Sequence, residues 1–221
     1  NVRVHATTQR VIAEAFAAER PALKPLPALP FRAVLKLERR VEEVANDPEA
    51  KKKIAAAGKR RTILCGVCHG KDGNSIRPEV PNLAGQNPTY IVDQFQQFSD
   101  GRRRDFGMNA LGESFSEEEK ILLALYYSSF DVKPVGGGTP EQIAKGKEIF
   151  DYVCVECHGA NGRGEMGYAR IAGQKPDYVI KMMKEFRGGT GRRVNPWMKA
   201  VALPLTDEEI TALAMYIANM E

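Results

Sequence analysis

Cys65, Cys68 and His69 lie in ILCGVCHG (63–70), and Cys154, Cys157 and His158 lie in YVCVECHG (152–159). These two Cys-x-x-Cys-His pentapeptides use all four cysteines and two of the three histidines in the chain. Three chemistries place cysteines this close together. A redox Cys-x-x-Cys has no need of the histidine. The two pairs could together bind one zinc ion, but 85 residues separate Cys68 from Cys154. That is far wider than the usual zinc-ligand spacing, and both adjoining histidines would be left without a role. Covalent haem attachment uses all three residue types. The two thiols add to the vinyl groups, and the histidine ligates iron from the same side. One helical turn carries both sulfurs to one porphyrin edge and directs the imidazole at the metal. The expectation is two covalently bound haem c groups, one through Cys65 and Cys68 and one through Cys154 and Cys157, with His69 and His158 as iron ligands.

A low-spin electron carrier needs a second axial ligand. The third histidine, His5, reads as a solvent-exposed residue near the start. Of the seven methionines, position singles out two. Met108 lies 39 residues after His69, and Met198 lies 40 after His158. Each stands 8 residues before a helix-capping signal, in a stretch rich in Arg, Gly and Asn that reads as loop. Met182, Met183, Met215 and Met220 fall in helical patterns where core packing is the default. Met166 is too close to His158 to cross the haem edge. Met108 and Met198 are therefore the expected sixth ligands. A thioether opposite imidazole raises the reduction potential, and filling both axial positions leaves one-electron transfer as the available chemistry.

The elements that must position these residues occur twice. PNLAGQNPTYI (81–91) matches ARIAGQKPDYVI (169–180) at an offset of 88, and SEEEKILLALYYSSF (116–130) matches TDEEITALAMYIANM (206–220) at 90. The shared order is a short helix ending in the Cys-His motif, a Gly-rich loop, the Ala-Gly-Gln segment, a helix, a Met loop and a closing helix. Pro88 and Pro176 suit first-turn positions. Ser116 with Glu119, and Thr206 with Glu209, have the spacing of capping boxes. Ile121, Leu122 and Leu125, like Ile210, Leu213 and Ile217, follow a helical period. KPVGGGTPEQ (133–142) reads as a linker. The expected fold is all-α, with domains at 55–132 and 143–221. Each is small enough for its core to be marginal without the macrocycle at its centre.

Residues 1–54 stand outside the repeat as an extension. Val11–Arg20 reads as a short helix. Pro21, Pro25, Pro27 and Pro30 favour an extended stretch. Phe31, Val34, Leu35, Glu38, Val41 and Val44 suggest an amphipathic helix ending near Asn46. The first 61 residues carry 14 basic and 7 acidic side chains, and the remaining 160 carry 18 and 21. Positive charge is thus concentrated in the first quarter. That suits a solvated strap, or an arm for an acidic partner or anionic lipid. Nucleic-acid binding is not supported, since no binding module is present. No apolar run approaches the roughly 18 residues of a membrane span. No secretory leader is recognisable, so a secreted form would have lost it.

Two Cys-x-x-Cys-His motifs, each followed by LAGQ or IAGQ, a helix, a Met segment and a capped final helix, resemble the di-haem cytochrome c4 family. The haem subunit of flavocytochrome c is similar. The resemblance covers about residues 55–221. It implies two tandem class I cytochrome c domains related by a pseudo-twofold axis, ligated by His69 with Met108 and by His158 with Met198. It also implies that a proline carbonyl, here that of Pro81, orients the ligating histidine, while Ala169 replaces it in the second copy. The expected function is single-electron transfer between periplasmic or membrane-bound redox proteins, without catalysis. Two alternatives stay open. One is a bound subunit of a dehydrogenase, oxidase or photosynthetic complex, docked through residues 1–54. The other is a di-haem enzyme with one open iron. The expected location is the periplasm, free or held at the membrane by a partner complex.

Overall fold

The computed structural model describes residues 30–164 and 167–221, and every regular element among them is a helix. Val11–Arg20, most of the proline-rich stretch, His5 and Met166 lie outside the described residues. Lys36–Glu221 form one compact unit. The extension contains α1 (Pro30–Ala45), and the first half of the repeat contains α2 (Ala50–His69), α3 (Pro88–Ser99), α4 (Phe106–Ser114) and α5 (Glu117–Ser128). The second contains α6 (Pro140–Val153), α7 (Val155–His158), α8 (Pro176–Gly188), α9 (Pro196–Ala202) and α10 (Asp207–Asn219).

Local chemistry sets the helix starts. Ser116 with Glu119, and Thr206 with Glu209, form reciprocal capping boxes that satisfy the first-turn amides of α5 and α10. Pro88 and Pro176 open α3 and α8, where a missing N–H costs nothing. Pro30 begins α1 rather than extending the proline-rich stretch. The first motif helix is not short: α2 runs 20 residues, so position 54 lies inside it.

In each half the motif helix packs on the closing helix, α2 on α5 and α6 on α10. A glycine permits each close approach. A Cβ at Gly58 would lie 2.2 Å from Tyr126 Cε2, and one at Gly146 would lie 2.1 Å from the Ala212 carbonyl oxygen. Around each crossing is an apolar cluster. In the first half, Ile91, Val92 and Phe95 of α3 meet Ile121, Leu123 and Ala124 of α5. In the second, Phe150 meets Val179, Met183 and Phe186 of α8 and Ile210, Leu213 and Ile217 of α10. Val41 of α1 is buried in the first cluster, with Leu37 and Val44 packed against it. This part of the extension is a strap packed on the first half.

Candidate haem sites

Each motif is placed by the end of a helix. Cys65, Cys68 and His69 close α2. In the second half α6 ends at Val153, and Cys154, Cys157 and His158 continue into the single turn of α7. Helical bonding persists through that break, because Cys154 N donates to Phe150 O at 2.9 Å and His158 N to Cys154 O at 2.9 Å. All four thiols are unpaired. Burial pushes the Cys154 thiol up to about 12 and raises that of Cys65.

The histidines are fixed alike. His69 Nδ1 lies 3.0 Å from the Pro81 carbonyl oxygen, and His158 Nδ1 lies 2.8 Å from that of Ala169. A carbonyl only accepts, so Nδ1 carries the proton and donates, and Nε2 is left with its lone pair. The bond needs a carbonyl and not a proline ring, so it survives the alanine. His69 is buried, and His158 is partly so. Burial holds both imidazoles below their usual value, against the carbonyl bond. Both therefore stay neutral, as a metal ligand must.

Met108 and Met198 lie in short helices, not loops. Asp105 Oδ1 accepts from Met108 N at 3.1 Å, and Asn195 Oδ1 accepts from Met198 N at 3.0 Å. Each cap fixes its methionine at the third position of α4 or α9. Neither run is long enough to display a helical period. Cys65 and Met108 pack against the same apolar cluster, and Met198 packs against the cluster that contains Cys154. Met183 and Met220 are buried in the second cluster and Met182 packs on it; Met220 is the C-cap of α10 and not part of the helix.

These residues fit an apolar, anionic macrocycle. Among the described residues, every exposed large apolar side chain except Val135 stands on a motif helix, near it, or in a Met segment. Phe106 is fully exposed two residues before Met108, and Trp197 is 82% exposed directly before Met198. Two guanidiniums between the halves have no carboxylate partner among the described residues. Arg103 donates to Gln94 Oε1 at 2.7 Å and to Tyr178 Oη at 2.8 Å. Arg193 donates to Tyr90 Oη and, at 3.4 Å, to Tyr178 Oη. Burial alone would raise the Tyr178 phenol; the two cations outweigh it and hold the phenol below its usual value. Positive charge of this kind suits haem propionates. Arg104 and Arg192 are exposed, and Arg102, also exposed, pairs with Asp100 at 2.7 Å. Backbone pairing of Arg103 with Arg193, and Arg104 N donating to Arg192 O at 2.7 Å, tie the two Met segments together. The cross-half arginine–tyrosine pairing leaves no periodic or compositional trace, so only the repeat offset of Tyr90 and Tyr178 could have hinted at it.

Tandem helical halves, each with an unpaired Cys-x-x-Cys, a carbonyl-oriented histidine and a capped methionine, define a di-haem c-type cytochrome. The cytochrome c family model matches residues 143–221. Cytochrome c4 of Pseudomonas aeruginosa is 33% identical over 180 residues, which cover 75% of this chain and 88% of that protein. The crystal structure of reduced recombinant cytochrome c4 from Pseudomonas stutzeri aligns with a TM-score of 0.68 at 31% identity, covering 76% of this chain and 98% of that one. A more distant relative from Stutzerimonas stutzeri, named a thiosulfate dehydrogenase electron acceptor, is 27% identical over 72% of this chain and 79% of its own length. The chain belongs to the cytochrome c4 family. It is an electron carrier with two covalently bound haems c, and not an enzyme in its own right.

Proposed function

We propose that this cytochrome relays single electrons in the periplasm, with one haem held by Cys65, Cys68, His69 and Met108 and the other by Cys154, Cys157, His158 and Met198. The first domain begins with α2 and runs to residue 132, the second begins with α6, and residues 133–139 join them. The observation that carries the ligand assignment is the pair of hydrogen bonds from His69 Nδ1 and His158 Nδ1 to carbonyl oxygens, which leaves one free ring nitrogen in each half. When bound, haem iron supplies the one-electron ferric–ferrous couple. The chain does the rest. The carbonyls orient the imidazoles. Asp105 and Asn195 set the methionine backbones. The two apolar clusters keep water from each centre, and cross-half bonds fix their separation. Thioether attachment of haem takes place outside the cytoplasm, which supports the periplasmic assignment. No helix among the described residues is long and apolar enough to cross a membrane.

The proposed partner is a redox protein with an acidic docking face. Lys51, Lys59 and Arg60 are exposed on α2, the helix that ends in the first motif. Service to a larger oxidoreductase is a second reading, favoured by the relative named as an electron acceptor of thiosulfate dehydrogenase.

The ligand assignment is tested on purified Met108→Ala and Met198→Ala proteins. Each is expected to keep two haems, lose half of the far-red absorption of methionine-ligated ferric haem, and bind one carbon monoxide per chain when reduced. A variant that retains the full methionine absorption removes that residue from the site.

A further inference from the structure

The LAGQ and IAGQ segments place Gln86 and Gln174, 5% and 6% exposed, at the boundary between the halves. Each grips a backbone residue of the opposite half with both ends of its amide. Gln174 Oε1 accepts from Asn82 N at 2.7 Å, and Gln174 Nε2 donates to Asn82 O at 3.1 Å. Reciprocally, Gln86 Oε1 accepts from Arg170 N at 2.6 Å, and Gln86 Nε2 donates to Arg170 O at 2.8 Å. Each Oε1 also accepts from the next residue of its own chain segment, Lys175 N at 2.9 Å or Asn87 N at 3.0 Å. These second bonds keep the amides from rotating.

The gripped amides have a particular position. Asn82 N belongs to the same peptide unit as the Pro81 carbonyl, which accepts from His69 Nδ1. Arg170 N belongs to the same unit as the Ala169 carbonyl, which accepts from His158 Nδ1. One planar, conjugated peptide therefore lies between each glutamine and the histidine of the other half. An acceptor on the peptide N–H increases negative charge on its carbonyl oxygen, and hydrogen bonds in series strengthen one another. A stronger acceptor at Nδ1–H makes the imidazole a more basic ligand and favours ferric iron.

We propose that Gln174 and Gln86 are positioning residues that act in trans. Gln174 lowers the reduction potential of the haem ligated by His69, and Gln86 lowers that of the haem ligated by His158. The inference rests on the histidine ligation proposed above. The two relays are not equally braced. Asn82 also donates from Nδ2 to Gly173 O at 2.9 Å, and its Oδ1 accepts from Ser75 N at 2.8 Å. Arg170 makes no corresponding side-chain bonds among the described residues.

The test is a redox titration of holo-protein followed by NMR, with the haems assigned through the Met108 and Met198 methyl signals. Gln174→Leu is expected to raise the potential of the His69 haem and leave the other in place; Gln86→Leu is expected to do the reverse. The expected size is about threefold in the oxidised-to-reduced ratio at fixed ambient potential, or about 28 mV at 59 mV per decade for one electron. Gln174→Asn, which draws the amide back by one methylene, should shift the same haem in the same direction and serves if the leucine variant does not hold its haems. A looser interface would move both potentials together, and a local packing effect would move the haem of the glutamine's own half. Either result, or unmoved potentials in proteins that keep the methionine-ligated low-spin spectrum, overturns the relay. Loss of that spectrum in the unsubstituted protein would instead overturn the ligand assignment.

Discussion

Replacing Gly146 by alanine sets helix propensity against packing. In an exposed helix the change would stabilise by about 1 kcal/mol. Here the new Cβ would lie 2.1 Å from Ala212 O and 2.7 Å from Tyr216 Cβ, where ordinary contact begins near 3.5 Å. The nearest obstacle is backbone, so α6 and α10 must separate by roughly 1 Å, at the upper end of the ~1–3 kcal/mol cost of overpacking. The net expectation is a loss of about 2 kcal/mol, or roughly 10 °C in the midpoint of a domain this size. Gly58→Ala provides an internal control. The three atoms nearest its Cβ all belong to the Tyr126 ring, the closest 2.2 Å away, and a ring can swing. That movement weakens the edge contacts of Tyr126 with Tyr127 and Phe130, at centroid distances of 5.2 and 4.9 Å. Such pairs are each worth about 0.5–1.5 kcal/mol, so weakening both by about half costs roughly 0.5–1.5 kcal/mol, which the propensity gain of about 1 kcal/mol largely offsets. Urea unfolding of the holo-proteins, followed at the haem absorption with m-values compared, measures both. If Gly146→Ala matches the parent, or Gly58→Ala loses more, the backbone crossing does not limit stability.

Arg103→Leu and Arg193→Leu share Tyr178 and Gln94, so their stability losses should be non-additive by at least about 0.5 kcal/mol in a double-mutant cycle. Asp207 is held below the usual carboxylate range by hydrogen bonds from Lys184, at 2.7 Å, and from Arg187. It therefore binds fewer protons folded than unfolded, and its contribution is full above about pH 4 and fades as pH falls through the depressed value. Urea midpoints of Asp207→Asn should consequently fall less steeply below pH 4 than those of the parent. Reversing Lys59 and Arg60 to glutamate should slow electron transfer with an acidic partner and flatten its dependence on ionic strength; unchanged rates would place docking elsewhere.

The chemistry was legible because it is local. Cys-x-x-Cys-His brings its three groups together within about one helical turn, whatever surrounds it. Capping boxes at Ser116 and Thr206, and first-turn prolines at 88 and 176, act on backbone within three residues. The offsets near 88–90 exposed two copies of one unit. Harder to see were the helices around Met108 and Met198, since α4 and α9 have 9 and 7 residues and depend on Asp105 and Asn195 rather than on a periodic face. The length of α2 was also missed, because its early turns are charged and alanine-rich and show no single apolar face.

By itself the sequence determined what the chain binds and how often, since thiol, imidazole and thioether chemistry depends on residue type and short spacing. The tertiary structure alone decided how the two copies address one another. Arg103 and Arg193 converge on Tyr178, and Gln86 and Gln174 reach across to Arg170 and Asn82, 84 and 92 residues away. A hydrogen bond constrains direction and distance in space, not separation along the chain, so such pairings exist only once two cores have packed.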